Sequence, residues 1–364
     1  MHGDDDFAAW FRLLETPGLG RAAARRLLAA CGSPEGVLLA PRATLRQLIG
    51  PALTDALFQA SPELTQRLEQ AQRWRHGGSD RHVLVLGDAE YPAALLQTAD
   101  PPLLLYVQGR LDRLAARSLA IVGSRHPTPQ GAQNAHAFAA HFSQQGWVVV
   151  SGLAQGIDGA AHLGALEGAA GTVAVLGTGL DLIYPRAHQA MAERIAAHGA
   201  LVSEFAPGTP ALPAHFPMRN RIIAGLTQGT LVVEAALRSG SLITARLAAE
   251  AGREVFAVPG SIHAPQSKGC HALIKQGAKL VECAQDVLDE LGGTRPLPLS
   301  APVGDLHEPD PVVAALGHDP TTLDALQDRT GMATAALNAR LLELEFAGRV
   351  SRLPGGLFQR CTKA

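Results

Sequence analysis

The sequence predicts an α/β protein built on a doubly wound, largely parallel sheet. Three observations predict it. Strand and helix signals alternate from about residue 81 to 290. The strand runs are almost continuously apolar, as expected of strands covered on both faces. Several of them are followed at once by a glycine loop, the place where an open parallel sheet receives ligands. With 364 residues the chain is long enough for two or three domains.

The elements follow in order. Residues 1–80 read as short helices, with the turn Pro17-Gly18-Leu19-Gly20 between two apolar helical stretches. Such a turn is either a helix-hairpin-helix element whose backbone N–H groups meet phosphate, or a glycine turn inside a small bundle. Strands are predicted at Val83–Leu86, Leu103–Val107, Leu119–Val122, Trp147–Val150, Val173–Leu176, Thr230–Val233 and Glu254–Val258. Residues 81–292 form the central domain. Residues 293–310, rich in Pro and Gly, read as a linker. From 311 to 364 the pattern restarts: a helix from Thr321–Asp324, a break at Gly331, a helix over Ala333–Phe346, then a hairpin turning at Pro354-Gly355-Gly356. Helix-turn-helix plus hairpin predicts a winged helix. Arg340 lies beside Glu343 and Glu345 on its second helix, so that face is not cleanly basic.

Composition narrows the function. The formal charge of −2 argues against a protein coated in basic residues, so a nucleic acid would meet a local patch. No apolar run has the length of a membrane span, and MHGDDDFAAW lacks the order of a signal peptide; the expected compartment is the cytoplasm. Cys31, Cys270, Cys283 and Cys361 lie far apart and read as reduced thiols. The histidines show no metal-binding spacing.

The glycine loops carry the chemistry. They are Gly123-Ser124-Arg125, Ser151-Gly152 through Asp158, Gly177-Thr178-Gly179, and Arg238-Ser239-Gly240-Ser241, which opens a helix. Glycine lets backbone approach a ligand, and helix N-termini offer unpaired N–H groups. Arg125, Arg186, Arg219, Arg221 and Arg238 add guanidinium forks suited to phosphate. Four such loops predict one phosphate-binding pocket. The segment Phe216–Ala248 is the richest, with Arg219, Asn220 and Arg221 expected at a loop end and Phe216 or Tyr184 able to stack a base. Each has an alternative reading: a surface arginine, a salt bridge, a packed aromatic. Asp158 reads as a helix cap, His162 as a packed histidine, and Glu234 as a partner for an arginine. The loops lack the third glycine of a dinucleotide fingerprint, and the chain has neither a P-loop nor a nucleophile elbow.

These motifs, in consistent order, resemble the DNA processing protein A family, also called DprA or Smf. They are Ala120–Arg125, Val150–Asp158 with Ala161-His162, Gly177–Asp181 with Tyr184-Pro185, Ser203-Glu204, Phe216–Arg221, Val233–Ala235, Ser239–Thr244, and Val258–Gly260 with Leu273-Ile274. The resemblance implies an extended Rossmann-like domain over 81–292, a helical domain like a sterile alpha motif (SAM-like) at the N-terminus, and the winged helix of a subset of members. It implies sequence-independent binding of single-stranded DNA in natural transformation, protection of the incoming strand, loading of the recombinase RecA, and a homodimer through the Rossmann-like domain. It implies no cofactor and no covalent chemistry. Carried to this chain, Gly123, Ser124, Arg125, Phe216, Arg219, Asn220, Arg221, Arg238, Ser239, Gly240 and Ser241 line the DNA site, with Arg186 beside it.

Two other classes remain open. One is a nucleotide-binding enzyme of the phosphoribohydrolase type, whose Pro-Gly-Gly-x-Gly-Thr-x-x-Glu motif is only partly matched by Gly229-Thr230 and Glu234. The other is a scaffold whose loops are shaped by packing alone.

Overall fold

The computed structural model describes residues 3–59, 61–292, 310–317 and 320–361. The expected linker, apart from Asp310, lies outside them. The strands are β1 (Arg81–Val85), β2 (Leu104–Gly109), β3 (Ser118–Val122), β4 (Val148–Ser151), β5 (Thr172–Val175), β6 (Ala200–Ser203), β7 (Gly229–Val232), β8 (Glu254–Ala257) and β9 (Lys279–Leu280). All seven predicted strands are present within a residue or two. β6 and β9 were not read from the sequence; β9 is only two residues long, too short for a period to register.

The chain divides into two compact units. The first comprises Met1–Ala116 and Val173–Leu226. In it β1 and β2 pair antiparallel, β2 and β6 pair antiparallel, and β6 and β5 pair parallel. The N-terminal helices belong to this unit, and Phe7 and Trp74 set their rings edge-on to Tyr106 of β2 at 6.4 and 5.7 Å. Aromatic pairs at that separation add to the apolar area they bury. Ser33 and Ser61 cap two of these helices through their side chains.

The second unit comprises Arg117–Thr172 and Thr227–Ala364. Its strands run β4-β3-β7-β8-β9, every pair parallel. β3, β4 and β7 are buried along their whole length, in keeping with their mostly apolar sequences. Phe138, Phe142, Trp147 and Phe256 fill the core around them. Helix Pro129–Gln144 begins with a Thr128 cap and a Pro at its first position, the pre-set φ that a helix start tolerates best.

At the C-terminus, helices Pro311–Leu316, Leu323–Thr330 and Thr334–Phe346 enclose a small core with strands β10 (Thr321–Thr322), β11 (Val350–Leu353) and β12 (Leu357–Arg360). β12 lies between β10 and β11. Gly331 takes the left-handed φ of 67° that ends the middle helix, and Pro354-Gly355-Gly356 forms the wing turn. This is the winged helix the sequence predicted.

Candidate nucleic-acid interface

In the second unit, β3 ends in Gly123-Ser124-Arg125. A Cβ on Gly123 would stand 2.6 Å from Ile157 Cγ1 and 2.9 Å from the Glu234 carbonyl oxygen, so no larger residue fits. Gly156 has φ +82°, and its Cβ would meet the Ser124 carbonyl at 2.3 Å. Ile157 N–H donates to that same carbonyl at 3.1 Å. The loop is thus pinned from below, while Arg125 is exposed above it.

Glu234 leaves the end of β7 and accepts from Thr128 N (2.9 Å) and Thr128 Oγ1 (2.6 Å). Thr128 Oγ1 in turn accepts from Gly131 N at 3.0 Å, capping helix Pro129–Gln144. Burial raises the Glu234 carboxyl above its ordinary value, and the Thr128 bonds oppose that rise. The expectation that Glu234 holds an arginine is therefore replaced by a threonine cap. The hydrolase alternative would need this carboxylate facing a substrate; here both its oxygens face Thr128.

Asp158 is the second residue of helix Ile157–Ala165, not its cap, which is Gly156. Its carboxylate accepts from Gly152 N (3.2 Å) and Ala154 N (3.4 Å), bracing the loop after β4. His162 is packed as predicted and wholly buried. Leu153 N donates to its Nε2 at 3.2 Å, so the proton sits on Nδ1. Nδ1 then donates to Thr172 Oγ1, which donates to the Val149 carbonyl. Each polar atom of that chain has a structural use, which leaves the imidazole no lone pair for proton transfer.

The Arg238-Ser239-Gly240-Ser241 loop opens helix Ser241–Glu250, with Gly240 at the cap position and no side chain capping it. Ser239 Oγ and Ser241 Oγ are 2.7 Å apart. Arg238 is exposed, and nothing stands within 4 Å of where a Gly240 Cβ would be. Ser241 N donates to Ser239 Oγ at 3.3 Å, so the exposed Arg238 guanidinium is the group here suited to an anion.

In the first unit, Phe216, Arg219, Asn220 and Arg221 all lie in helix His215–Leu226, not at a loop end. Helical spacing puts Phe216, Arg219 and Asn220 on one face and turns Arg221 away from it. Phe216 packs over Gly177, where a Cβ would approach its ring to 3.1 Å. Tyr184 meets Phe216 at 5.6 Å between centroids and is 53% exposed. Arg219 is only 4% exposed: Nη1 donates to the Val175 carbonyl at the end of β5, and Nε donates to Asn220 Oδ1 at 2.9 Å. Its guanidinium carbon lies 5.8 Å from the Phe216 ring centre. Asn220 is equally buried. Arg221 donates from Nη2 to Glu204 and from Nη1 to the Asp100 carbonyl at 2.5 Å. Arg186 is exposed, at the start of a short 3-10 turn.

The candidate residues therefore separate into two kinds. Arg125, Arg186 and Arg238 are solvent-facing cations. Arg219, Asn220 and Arg221 are built into the framework of the first unit. Sequence reasoning missed Thr128, Asp100 and the N-terminal Arg21 and Arg25, which meet Asp100 from far along the chain. No spacing links residues so distant.

Among the described residues no cluster of three or more His, Cys, Asp or Glu is arranged to hold a metal, and no helix is long and apolar enough to cross a membrane. The four cysteines are free thiols. In the winged helix, Arg340 Nε donates to Asp310 Oδ2 at 2.7 Å and Nη1 to Glu343 at 2.5 Å, so its charge is neutralised locally.

Comparison with known proteins places this architecture. The model of the DNA recombination-mediator protein A family matches residues 82–292, and that of the DprA winged helix domain matches 295–356. Protein Smf of Escherichia coli K12 is 45% identical over 287 residues, covering 76% of each chain. DNA processing protein DprA of Streptococcus pneumoniae is 50% identical over 200 residues, 55% of this chain and 71% of that protein. The crystal structure of the S. pneumoniae protein superposes with a TM-score of 0.68 at 37% identity, covering 78% of this chain and 97% of that one. DNA processing protein A of Helicobacter pylori, described for its single-stranded DNA binding mode, gives 0.53 at 30% identity over 58% and 95%. Central domain and winged helix both match, and the chain belongs to the DNA recombination-mediator protein A family.

Proposed function

We propose that the protein binds single-stranded DNA without sequence preference and hands it to the recombinase RecA, protecting the strand meanwhile. The observation that carries the reading is the pair of glycine loops in the second unit, each presenting an exposed arginine, Arg125 and Arg238. Backbone phosphates suit those loops because N–H groups and guanidinium forks need no base identity. Arg186 supplies a further exposed cation, and Phe216 with Tyr184 a surface on which a base can stack. Arg219, Asn220 and Arg221 fix the helix that carries Phe216. Membership of the family and the described behaviour of the H. pylori protein support the reading. The protein acts as a homodimer in the cytoplasm, two strand sites per dimer giving avidity. It performs no covalent step on the strand.

The test is fluorescence anisotropy of a labelled oligo-dT at about 50 and 200 mM salt. Wild type should bind tightly and lose affinity steeply with salt. Arg125→Ala, Arg186→Ala and Arg238→Ala should each weaken binding and reduce the salt slope by about one unit, and Arg186→Ala and Arg238→Ala should do so with no change in thermal midpoint, since those side chains face solvent. Binding unchanged in all three sinks the assignment. RecA filament formation on the held strand, with and without the protein, is the second assay.

A further inference from the structure

Helix Thr334–Phe346 of the winged helix carries two apolar faces, and its own domain uses one of them. Leu337, Leu341 and Leu344 are buried in the small core. Ala335, Ala339, Leu342 and Phe346 recur at steps of four, three and four residues, so they line up on the opposite side. All four are exposed, Leu342 at 48% and Phe346 at 85%. A helix that read a DNA groove would turn polar and basic side chains outward. Here the outward stripe is apolar, Glu343 and Glu345 flank it, and Arg340 is tied to Asp310 and Glu343. Such a face suits a protein surface.

The stripe itself says which surface. Its spacing is that of a coiled-coil seam. Its first half is small, Ala335 and Ala339, and its second half is large, Leu342 and Phe346. Set antiparallel on a second copy, with the two-fold axis between Ala339 and Leu342, each Phe346 covers Ala335 of the second copy and each Leu342 covers its Ala339. Large meets small at every layer, as close packing requires. Set parallel, Ala would meet Ala and Phe would meet Phe, and the Glu343 and Glu345 carboxylates of both copies would gather at one end. The antiparallel arrangement places Glu345 beside Asn338 and Glu343 beside Ala336 of the second copy, so no like charges face each other. It also opposes the two helix dipoles.

We propose that two copies of this chain pair antiparallel through the Ala335, Ala339, Leu342 and Phe346 stripe. This pairing is independent of the single-strand reading. From Ala335 to Phe346 the seam runs about 16 Å at 1.5 Å per residue. Stable complexes bury about 1,200–2,000 Å², more than so short a seam covers, so the contact is weak in free solution. It counts where copies are already held close to one another, because a high effective concentration offsets a weak affinity.

Sedimentation equilibrium of the full chain, from about 5 to 300 µM, reads the contact. Leu342→Ser/Phe346→Ser keeps every other self-contact and serves as the reference. Wild type should gain mass with concentration beyond this variant, which should raise the dissociation constant of the step about tenfold or more, as both large side chains lose their cover. Asn338→Glu should weaken pairing about two- to tenfold by facing Glu345 of the second copy, and Asn338→Lys should tighten it by a similar factor at low salt. Asn338→Glu/Glu345→Lys should return it to near wild type.

Equal sedimentation of wild type and Leu342→Ser/Phe346→Ser at every concentration overturns the proposal. So does association that the Asn338 changes leave unmoved, or that Glu345→Lys fails to restore, since only the antiparallel register brings residues 338 and 345 together. Circular dichroism accompanies each variant. If the serine variant fails to fold, the Asn338 series decides alone: opposite effects of Glu and Lys uphold the pairing, and equal effects refute it.

Discussion

Two glycines at the ends of different strands should respond in opposite ways to the same methyl group. At Gly123 a Cβ would fall 2.6 Å from Ile157 Cγ1 and 2.9 Å from the Glu234 carbonyl oxygen, both well inside van der Waals contact. The carbonyl belongs to backbone and cannot swing aside, so the Gly123-Ser124-Arg125 loop must move. Overpacking of this kind costs about 1–3 kcal/mol, and at about 2–4 °C per kcal/mol the thermal midpoint should fall by about 2–12 °C. At Gly240 the backbone has φ −62° and ψ −21°, which any residue adopts, and no atom stands within 4 Å of the added methyl. Gly240→Ala should leave stability within about 1 kcal/mol of wild type, as the reduced freedom of the unfolded chain offsets the poorer cap. Its effect should appear only in binding. If strand backbone packs against Gly240, the methyl intrudes on the contact at about 1–3 kcal/mol, a rise in Kd of about 5- to 150-fold. Calorimetry and oligo-dT anisotropy on the two variants separate the effects. A Gly240→Ala variant that binds as wild type would refute close approach of the strand at this loop. A Gly123→Ala variant of unchanged midpoint would refute the packing account.

The remaining predictions concern the framework. Thr128→Val keeps the side-chain shape but removes the cap on Gly131 N and the hydroxyl donated to Glu234, so urea denaturation should show a loss of about 1–2 kcal/mol. Arg219→Ala leaves the Val175 carbonyl and Asn220 Oδ1 without this donor in a buried site, costing about 2–4 kcal/mol; its midpoint should fall, in contrast to Arg186→Ala. Acid should act through Asp100, whose carboxyl is shifted down: burial opposes the shift, but Arg221, Arg25 and Arg21 outweigh it. A lowered folded value means stability present above the unfolded value and lost as pH falls through the folded one, so urea midpoints below pH 4 should drop less in Asp100→Asn than in wild type. Glu234 has the opposite sign, because burial raises it: its protonated form favours the fold, and that contribution is lost as pH rises through the raised value. The stability of Glu234→Gln relative to wild type should therefore improve between pH 4 and 7.

Much of this was legible in the chain. Apolar runs such as Leu119–Val122 and Val148–Val150 have no polar face to offer solvent, so their burial in a parallel sheet follows from composition. Gly123 and Gly156 marked loops that only glycine can close, and the close approaches of Ser124 and Ile157 give the reason. His162 read correctly as packed, since a histidine one turn into an Ala- and Gly-rich helix faces a core. Arg219 and Arg221 misled because an arginine beside a glycine-rich segment looks the same whether it faces solvent or a carbonyl. Glu234 misled for a similar reason: its sequence neighbours say nothing of Thr128, more than a hundred residues away.

The sequence by itself determined most of the layers: seven of the central strands, where glycine loops end them, and that a winged helix follows. Those properties are local, set by periodicity, apolar content and the backbone freedom of glycine. Only the tertiary structure decided which cations face solvent and which are framework, and that Arg21, Arg25, Asp100, Glu204 and Arg221 form one ion cluster. Charge pairing acts through space over a few ångströms, and residues up to 183 positions apart leave no trace of it in their order along the chain.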